Sequence, residues 1–315
     1  MFLLLNVINP LFSVDKVEVI RAMYEGKFRE ENFVQEDFFE ALFRGEQKKA
    51  GKDFFYGRWR SDRALLRIKD NYTGFVNKIK DPGRLSASKI PKIIHFIWLG
   101  SPLSEVHKEV INSWRYFHPD WTILVWDDHK VENLEWTHSA QKDQFKEAER
   151  WVEKADLVRY QILWQFGGIY ADTDMICLGS FERLIATGVT FFSGLESPIC
   201  EGAPYLWSGN AIIGSTKRHK VIGTTIRNIR REKVRDDWTD ILIRTGPYVL
   251  SHAIRINLEK KNWDRGILIL PPTYCFPLPH SEREIVYTEK HAIDKFLCKE
   301  SLCAHLWEGN WDFCD

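Results

Sequence analysis

The sequence predicts an α/β fold, with a mostly parallel central sheet flanked by helices and a helical region in front of it. Three stretches carry that expectation. Ile90 to Asp128 reads as strand, helix, strand. Ala155 to Cys177, ADLVRYQILWQFGGIYADTDMIC, reads as a helix, a glycine stop and a short extended run. Residues 13–80 read as charged amphipathic helices with no chemistry of their own. A strand–helix–strand unit opens a doubly wound sheet, whose ligands sit outside the carboxyl ends of the strands. The expected division is a helical accessory region over 1–88 and the α/β domain over 89–315.

In the accessory region, Ser13 is placed to cap a first helix ending near Gly26. Phe33, Val34, Phe38, Ala41 and Leu42 give a second apolar stripe, and Ser61 to Lys80 a third. Asp81-Pro82-Gly83 is a turn and marks the boundary. Lys48, Lys49, Lys52, Arg58, Arg60, Arg63 and Arg67 face few acids. Such a run fits either a solvated face or peripheral contact with an anionic membrane surface.

Ile93 to Leu99 is a short apolar run rich in β-formers, suited to a buried parallel strand. Ser104 caps the next helix, His118-Pro119-Asp120 stops it, and Trp121 to Trp126 is the second strand. Trp98 and Leu99 therefore fall where a nucleotide would bind, and Asp127 and Asp128 end the neighbouring strand.

In the central stretch, Leu157, Val158, Ile162, Leu163 and Phe166 follow helical spacing, and Gly167 and Gly168 end the helix. Ile169, Tyr170 and Ala171 favour an extended chain. In an extended chain alternate residues point one way, so Asp172 and Asp174 are expected to present two carboxylates to one side. That is a hard-oxygen site for Mn²⁺ or Mg²⁺. Asp156 and Arg159 lie one turn apart on one helix face. A negative and a positive group beside a divalent ion suit a ligand with both hydroxyls and phosphates.

The string ADLVRY…FGGIYADTD resembles the signature of the D-x-D glycosyltransferases of family 32, which are related to the large clostridial glucosylating toxins. IPKIIHFIWLG resembles the nucleotide-binding start of the same group. The resemblance implies a GT-A fold with a Rossmann-like sheet. It also implies a retaining, metal-dependent transfer of a hexose from a nucleotide sugar to a protein or glycan hydroxyl. UDP-glucose is the simplest donor, because the position matching Trp98 stacks on uracil in the toxins; guanosine stays open. Tyr170 joins Trp98, Leu99, Asp156, Arg159 and Asp172 as expected donor contacts.

Farther on, Thr190 to Leu195 reads as a strand, and Trp207 to Ser215 as a turn followed by a strand. The resemblance suggests that Asn210 lines the donor sugar or the acceptor side; its bland reading is a turn residue. Lys217 to Lys220 is a basic cluster at a helix start, read as solvated or as an anion contact. Thr245-Gly246-Pro247 matches a turn of the family, and Ile267 to Leu270 is a late strand. The tail from Ala304 to Trp311 matches a histidine followed by a tryptophan turn. It implies His305 and Asn310 as further metal ligands and Trp311 beside the departing oxygen. Asn310 stands where the pattern often has Ser.

Two other classes fit a D-x-D pair: a phosphohydrolase of the haloacid dehalogenase type, and a non-catalytic sugar-nucleotide or partner-binding module. The first places its motif on the opening strand of the domain. Composition narrows the rest. Net charge is +0, which gives no ground for a nucleic-acid binder. No apolar run approaches the ~20 residues that span a bilayer. The apolar start MFLLLNVINPLFSV lacks a basic leader and a cleavage site, so no signal peptide is expected. The 6 Cys are scattered and are expected to be free thiols, as in a cytoplasmic protein or one delivered there as an effector.

Overall fold

The computed structural model describes residues 15–26, 33–43, 62–196, 207–233, 235, 239–288 and 290–308. Ser13, the basic residues from Lys48 to Arg60, Asn310 and Trp311 lie outside them.

Among the described residues three α-helices precede the sheet: α1 (Lys16–Glu25), α2 (Phe38–Phe43) and α3 (Arg63–Lys80). Asp15 caps α1 and Asp62 caps α3, each side chain accepting from backbone N–H groups that a first turn leaves unpaired. Val34, Phe38, Leu42, Ile68, Tyr72 and Phe75 pack into the same apolar cluster as the sheet. Arg67 donates to the carbonyls of Leu258 and Lys260 and lies against Trp263, so it is turned inward rather than spread on a basic surface.

The sheet is built from β1 (Ile93–Ile97), β2 (Thr122–Trp126), β3 (Gly168–Ala171), β5 (Phe191–Leu195), β6 (Ser208–Ser215) and β7 (Ile267–Leu270), in the order β2-β1-β3-β6-β5-β7. β1 pairs in parallel with β2 and β3, and β5 with β7; β6 runs antiparallel to both β3 and β5. The architecture is of GT-A type, a mostly parallel sheet between helices. Every residue of β3, β6 and β7 is buried, which is why these strands read as continuous runs rather than alternating ones. The helices that follow are α4 (Glu105–Phe117), α5 (Asp128–Glu132), α6 (Ser139–Glu147), α7 (Trp151–Phe166), α8 (Glu182–Ala186), α9 (Lys220–Asn228), α10 (Thr239–Arg244), α11 (Pro247–Glu259) and α12 (Pro272–Cys275). Ser104 caps α4 as expected, its side chain accepting from the N–H of His107.

β4 (Met175–Cys177) and β8 (Cys303–His305) form a separate antiparallel pair, with Met175 opposite His305. The indole of Trp114 donates to the carbonyl of Met175, and the N–H of Cys177 donates to Ser113 Oγ, so α4 anchors β4.

The passage from α7 to β3 depends on two glycines. Gly167 has φ +66° and Gly168 φ +98°. A Cβ on Gly167 would stand 2.7 Å from the N of Lys217. Only glycine adopts this backbone freely and tolerates that approach. His95 of β1 clamps the hinge. The indole of Trp126 can only donate, so Nδ1 of His95 accepts from it at 3.1 Å, and Nε2 carries the proton that goes to Gly167 O at 2.9 Å. Burial lowers the imidazole from 6.5 to about 4. The native state therefore favours the neutral ring, and this stability is complete above pH 6.5 and lost as pH falls toward 4. Acidification across that window should remove about 3 kcal/mol through this one residue. Urea unfolding of wild type and His95→Gln at both ends of the window checks this. A variant with an undiminished pH slope would refute it.

Lys217 to Lys220 is not an anion site at His219: that ring is buried, caps α9 through Nδ1 and lies 3.4 Å from Asp264. Asp127 caps α5, and Asp128 accepts the N–H of Gly100 at 2.9 Å, so one carboxylate serves a helix start and the other a loop.

Candidate active site

Asp172 and Asp174 follow β3 at its carboxyl end. The expected mechanism for their convergence is corrected by the structure. The chain leaves β3 at Ala171 and turns, with the N–H of Met175 donating to Asp172 O at 3.0 Å. The turn, not an extended run, turns both carboxylates to one side. One ligand atom each from Asp172, Asp174 and His305 lies within 4.8 Å of the others.

Asp174 is buried. Its Oδ1 stands 3.2 Å from Nε2 of His305, and its Oδ2 accepts the N–H of Glu308 at 3.0 Å. Burial pushes this carboxyl up, but His305 and the backbone outweigh it and hold it below the usual range. Burial likewise works against a charged His305, yet Asp174, Asp172 and Glu196 together raise it. Two carboxylates and an imidazole are a donor set that fits Mn²⁺ or Mg²⁺. Tail residue His305, expected from the resemblance alone, is thus in the cluster.

Behind the acids lies a buried network. Arg159 donates to Asn210 O at 2.6 Å and sits 3.0 Å from Asp156 and 3.5 Å from Asp172, over the ring of Tyr170. Burial would lower the guanidinium, but Asp172, Tyr170 and Asp156 raise it. Asp156 accepts from Asn210 Nδ2 at 2.8 Å and from Thr245 Oγ1 at 2.9 Å. Burial raises its carboxyl to about 6 against those partners. Asn210 is inside β6, not in a turn as its sequence suggested; Arg159 and Asp156 use its polar groups. Tyr170 is 2 % exposed, and its hydroxyl donates to Asp172 Oδ1. It is therefore positioned to steer that carboxylate.

Trp98 and Leu99, just past β1, are half-buried, and because β1 and β3 run parallel they lie at the same carboxyl end of the sheet as Asp172. The Trp98 ring lies 4.3 Å from that of His107, whose imidazole pKa is lowered by burial against the opposing charges of Glu308 and Asp174. Among the described residues, the indole N–H of Trp98 and Nε of Arg159 are buried without an acceptor. Such orphaned donors are costly unless something accepts from them. Sequence reasoning passed over Thr245 as a binding partner, and also Tyr160, His107 and Glu196. Thr245 is distant in sequence and carries no local signal; Glu196 was one acid among many.

Residues 104–190 match the glycosyltransferase sugar-binding region containing the DXD motif. Inositol phosphoceramide mannosyltransferase 1 of Schizosaccharomyces pombe is 28% identical over 181 residues, 54% of this chain and 52% of that protein. Mannosyl phosphorylinositol ceramide synthase CSH1 of Saccharomyces cerevisiae is 29% identical over 167 residues, 51% and 42% of the two chains. The chain spans about half the length of the curated relatives it matches. Among solved structures, the PaToxG glycosyltransferase matches with a TM-score of 0.41 at 20% identity, over 62% of this chain and 79% of that one. The chain carries a DXD-motif glycosyltransferase domain on a GT-A-type sheet.

Proposed function

We propose that this protein transfers a hexose from a nucleotide sugar to a hydroxyl of a glycan or protein, with retention at the anomeric carbon. The observation that carries the reading is the meeting of Asp172, Asp174 and His305 within 4.8 Å at the carboxyl end of β3. Those three side chains would hold the divalent cation, which when bound offsets the charge that builds on the departing diphosphate. Trp98 offers a ring face for the base. A carboxylate has about four acceptor sites. Asn210, Thr245 and Arg159 already occupy three on Asp156, leaving one for a sugar hydroxyl. Nε of Arg159, without an acceptor among the described residues, would donate to a hydroxyl or phosphate oxygen. Trp311 would donate to the departing oxygen and Asn310 would complete the ligand set.

The D-x-D turn follows the third strand in chain order, not the opening one, which favours transfer over the phosphohydrolase reading. The resemblance at Trp98 favours a uridine donor, with guanosine open; the names of the mannosyltransferase relatives favour a mannosyl group as the second reading. Among the described residues no helix is long and apolar enough to cross a membrane. A reducing, cytoplasm-like setting suits the buried thiols of Cys275 and Cys303.

A panel of nucleotide sugars with and without Mn²⁺ tests the reading. Metal-dependent release of one nucleotide is expected, with UDP-glucose and GDP-mannose as the deciding pair. Binding of a nucleotide sugar with no release from any of them would leave a non-catalytic module.

A further inference from the structure

The rim of the site beside β6 carries two aromatic rings and an acid that the transfer reading does not use. Ser208 opens β6 opposite Leu195 of β5, and one step outward the N–H of Glu196 donates to Trp207 O at 2.9 Å. Tyr248, in the first turn of α11, is 44% exposed, and its ring centroid lies 6.0 Å from that of Trp207. Both rings hang on elements tied to the site itself. Thr245, just before α11, donates to Asp156; Tyr160 donates to Gly246 O at 3.4 Å; and Ser208 N donates to Ser251 Oγ at 2.9 Å. Oε1 of Glu196 lies over Gly209, where a Cβ would come within 2.8 Å of it. Among the described residues no hydrogen bond to this carboxylate is made, and it lies within electrostatic reach of His305 and Asp172.

Tyr248 is exposed and Trp207 half-buried, a ring surface on which a C–H face can pack, and a carboxylate without a hydrogen bond among the described residues can accept from hydroxyl donors. A cyclic polyol supplies both: a C–H face for the rings and hydroxyls for the acid. A serine or threonine side chain supplies the hydroxyl but no such face. We infer that Trp207, Tyr248 and Glu196 form an acceptor subsite for a sugar or cyclitol ring. This rests on the transfer reading and narrows its acceptor from any hydroxyl to a ring polyol.

Saturation-transfer NMR on the whole chain, without donor or metal, tests the subsite directly. The probes are methyl α-D-mannopyranoside, myo-inositol and a serine/threonine peptide. Ring C–H protons of at least one polyol should take up saturation and the peptide should take up none. Tyr248→Ala should weaken polyol binding about tenfold, and Tyr248→Phe should keep it. Tyr116→Ala removes an exposed ring on α4 and should change nothing; melting curves verify that each variant is folded. Should Tyr248→Ala fail to fold, Trp207→Leu takes its place with the same expectation. Saturation of the peptide alone, of no probe, or undiminished in a folded Tyr248→Ala or Trp207→Leu would overturn the subsite. The readout needs no turnover. Polyol binding without nucleotide release would sink the transfer reading and leave the subsite standing; release without polyol binding would do the reverse.

Discussion

Asp174→Ala should abolish metal-dependent nucleotide release, by at least about 100-fold, the scale for removing one fixed electrostatic partner of a developing charge. Asp174 is the buried member of the cluster and the group that orients His305 at 3.2 Å. Its loss removes one ligand and misplaces another. Thermal unfolding gives a second readout that needs no substrate. A cation that binds only the native state stabilises it by about 2.7 kcal/mol at a hundred times its dissociation constant. Wild type should therefore melt higher with added Mn²⁺, and the variant should not. Near-wild-type release, or an unchanged Mn²⁺ shift, would show that the cluster is not the metal site.

Arg159→Met is expected to cost about 3–5 kcal/mol of folding stability, the usual result of stripping one partner from a buried ion pair. The guanidinium compensates Asp156 and Asp172 together and also satisfies Asn210 O. Lysine keeps the charge but cannot serve three directions at once, so Arg159→Lys should recover only part of the loss. Adding Asp156→Asn to Arg159→Met should restore stability, because the carboxyl left without its cation is the origin of the cost. Guanidinium unfolding of the four-member cycle measures the coupling. Full additivity of the two changes would refute a shared network.

Much of this was readable from residue pattern, for reasons that differ by element. β1 and α7 are flanked by strong punctuation, Gly100-Ser101-Pro102 after one and Gly167-Gly168 after the other, and their apolar spacing is unambiguous. Asn210 misled because Trp-Ser-Gly-Asn carries turn chemistry, whereas pairing on both edges of β6 keeps those residues extended and buried. The D-x-D pair misled in the opposite sense: alternation is a property of strands, and these residues lie in a turn whose shape depends on Met175. Thr245 and Glu196 have meaning only through neighbours far along the chain. No local pattern encodes such proximity.

The pairing of β4 with β8 has a consequence for how the protein is made. Of the three clustered side chains, Asp172 and Asp174 precede α9, α11 and β7 in the chain, and His305 follows them. A growing polypeptide thus cannot assemble a finished centre while α9, α11 and β7 are still being added. The cluster closes only when β8 pairs with β4.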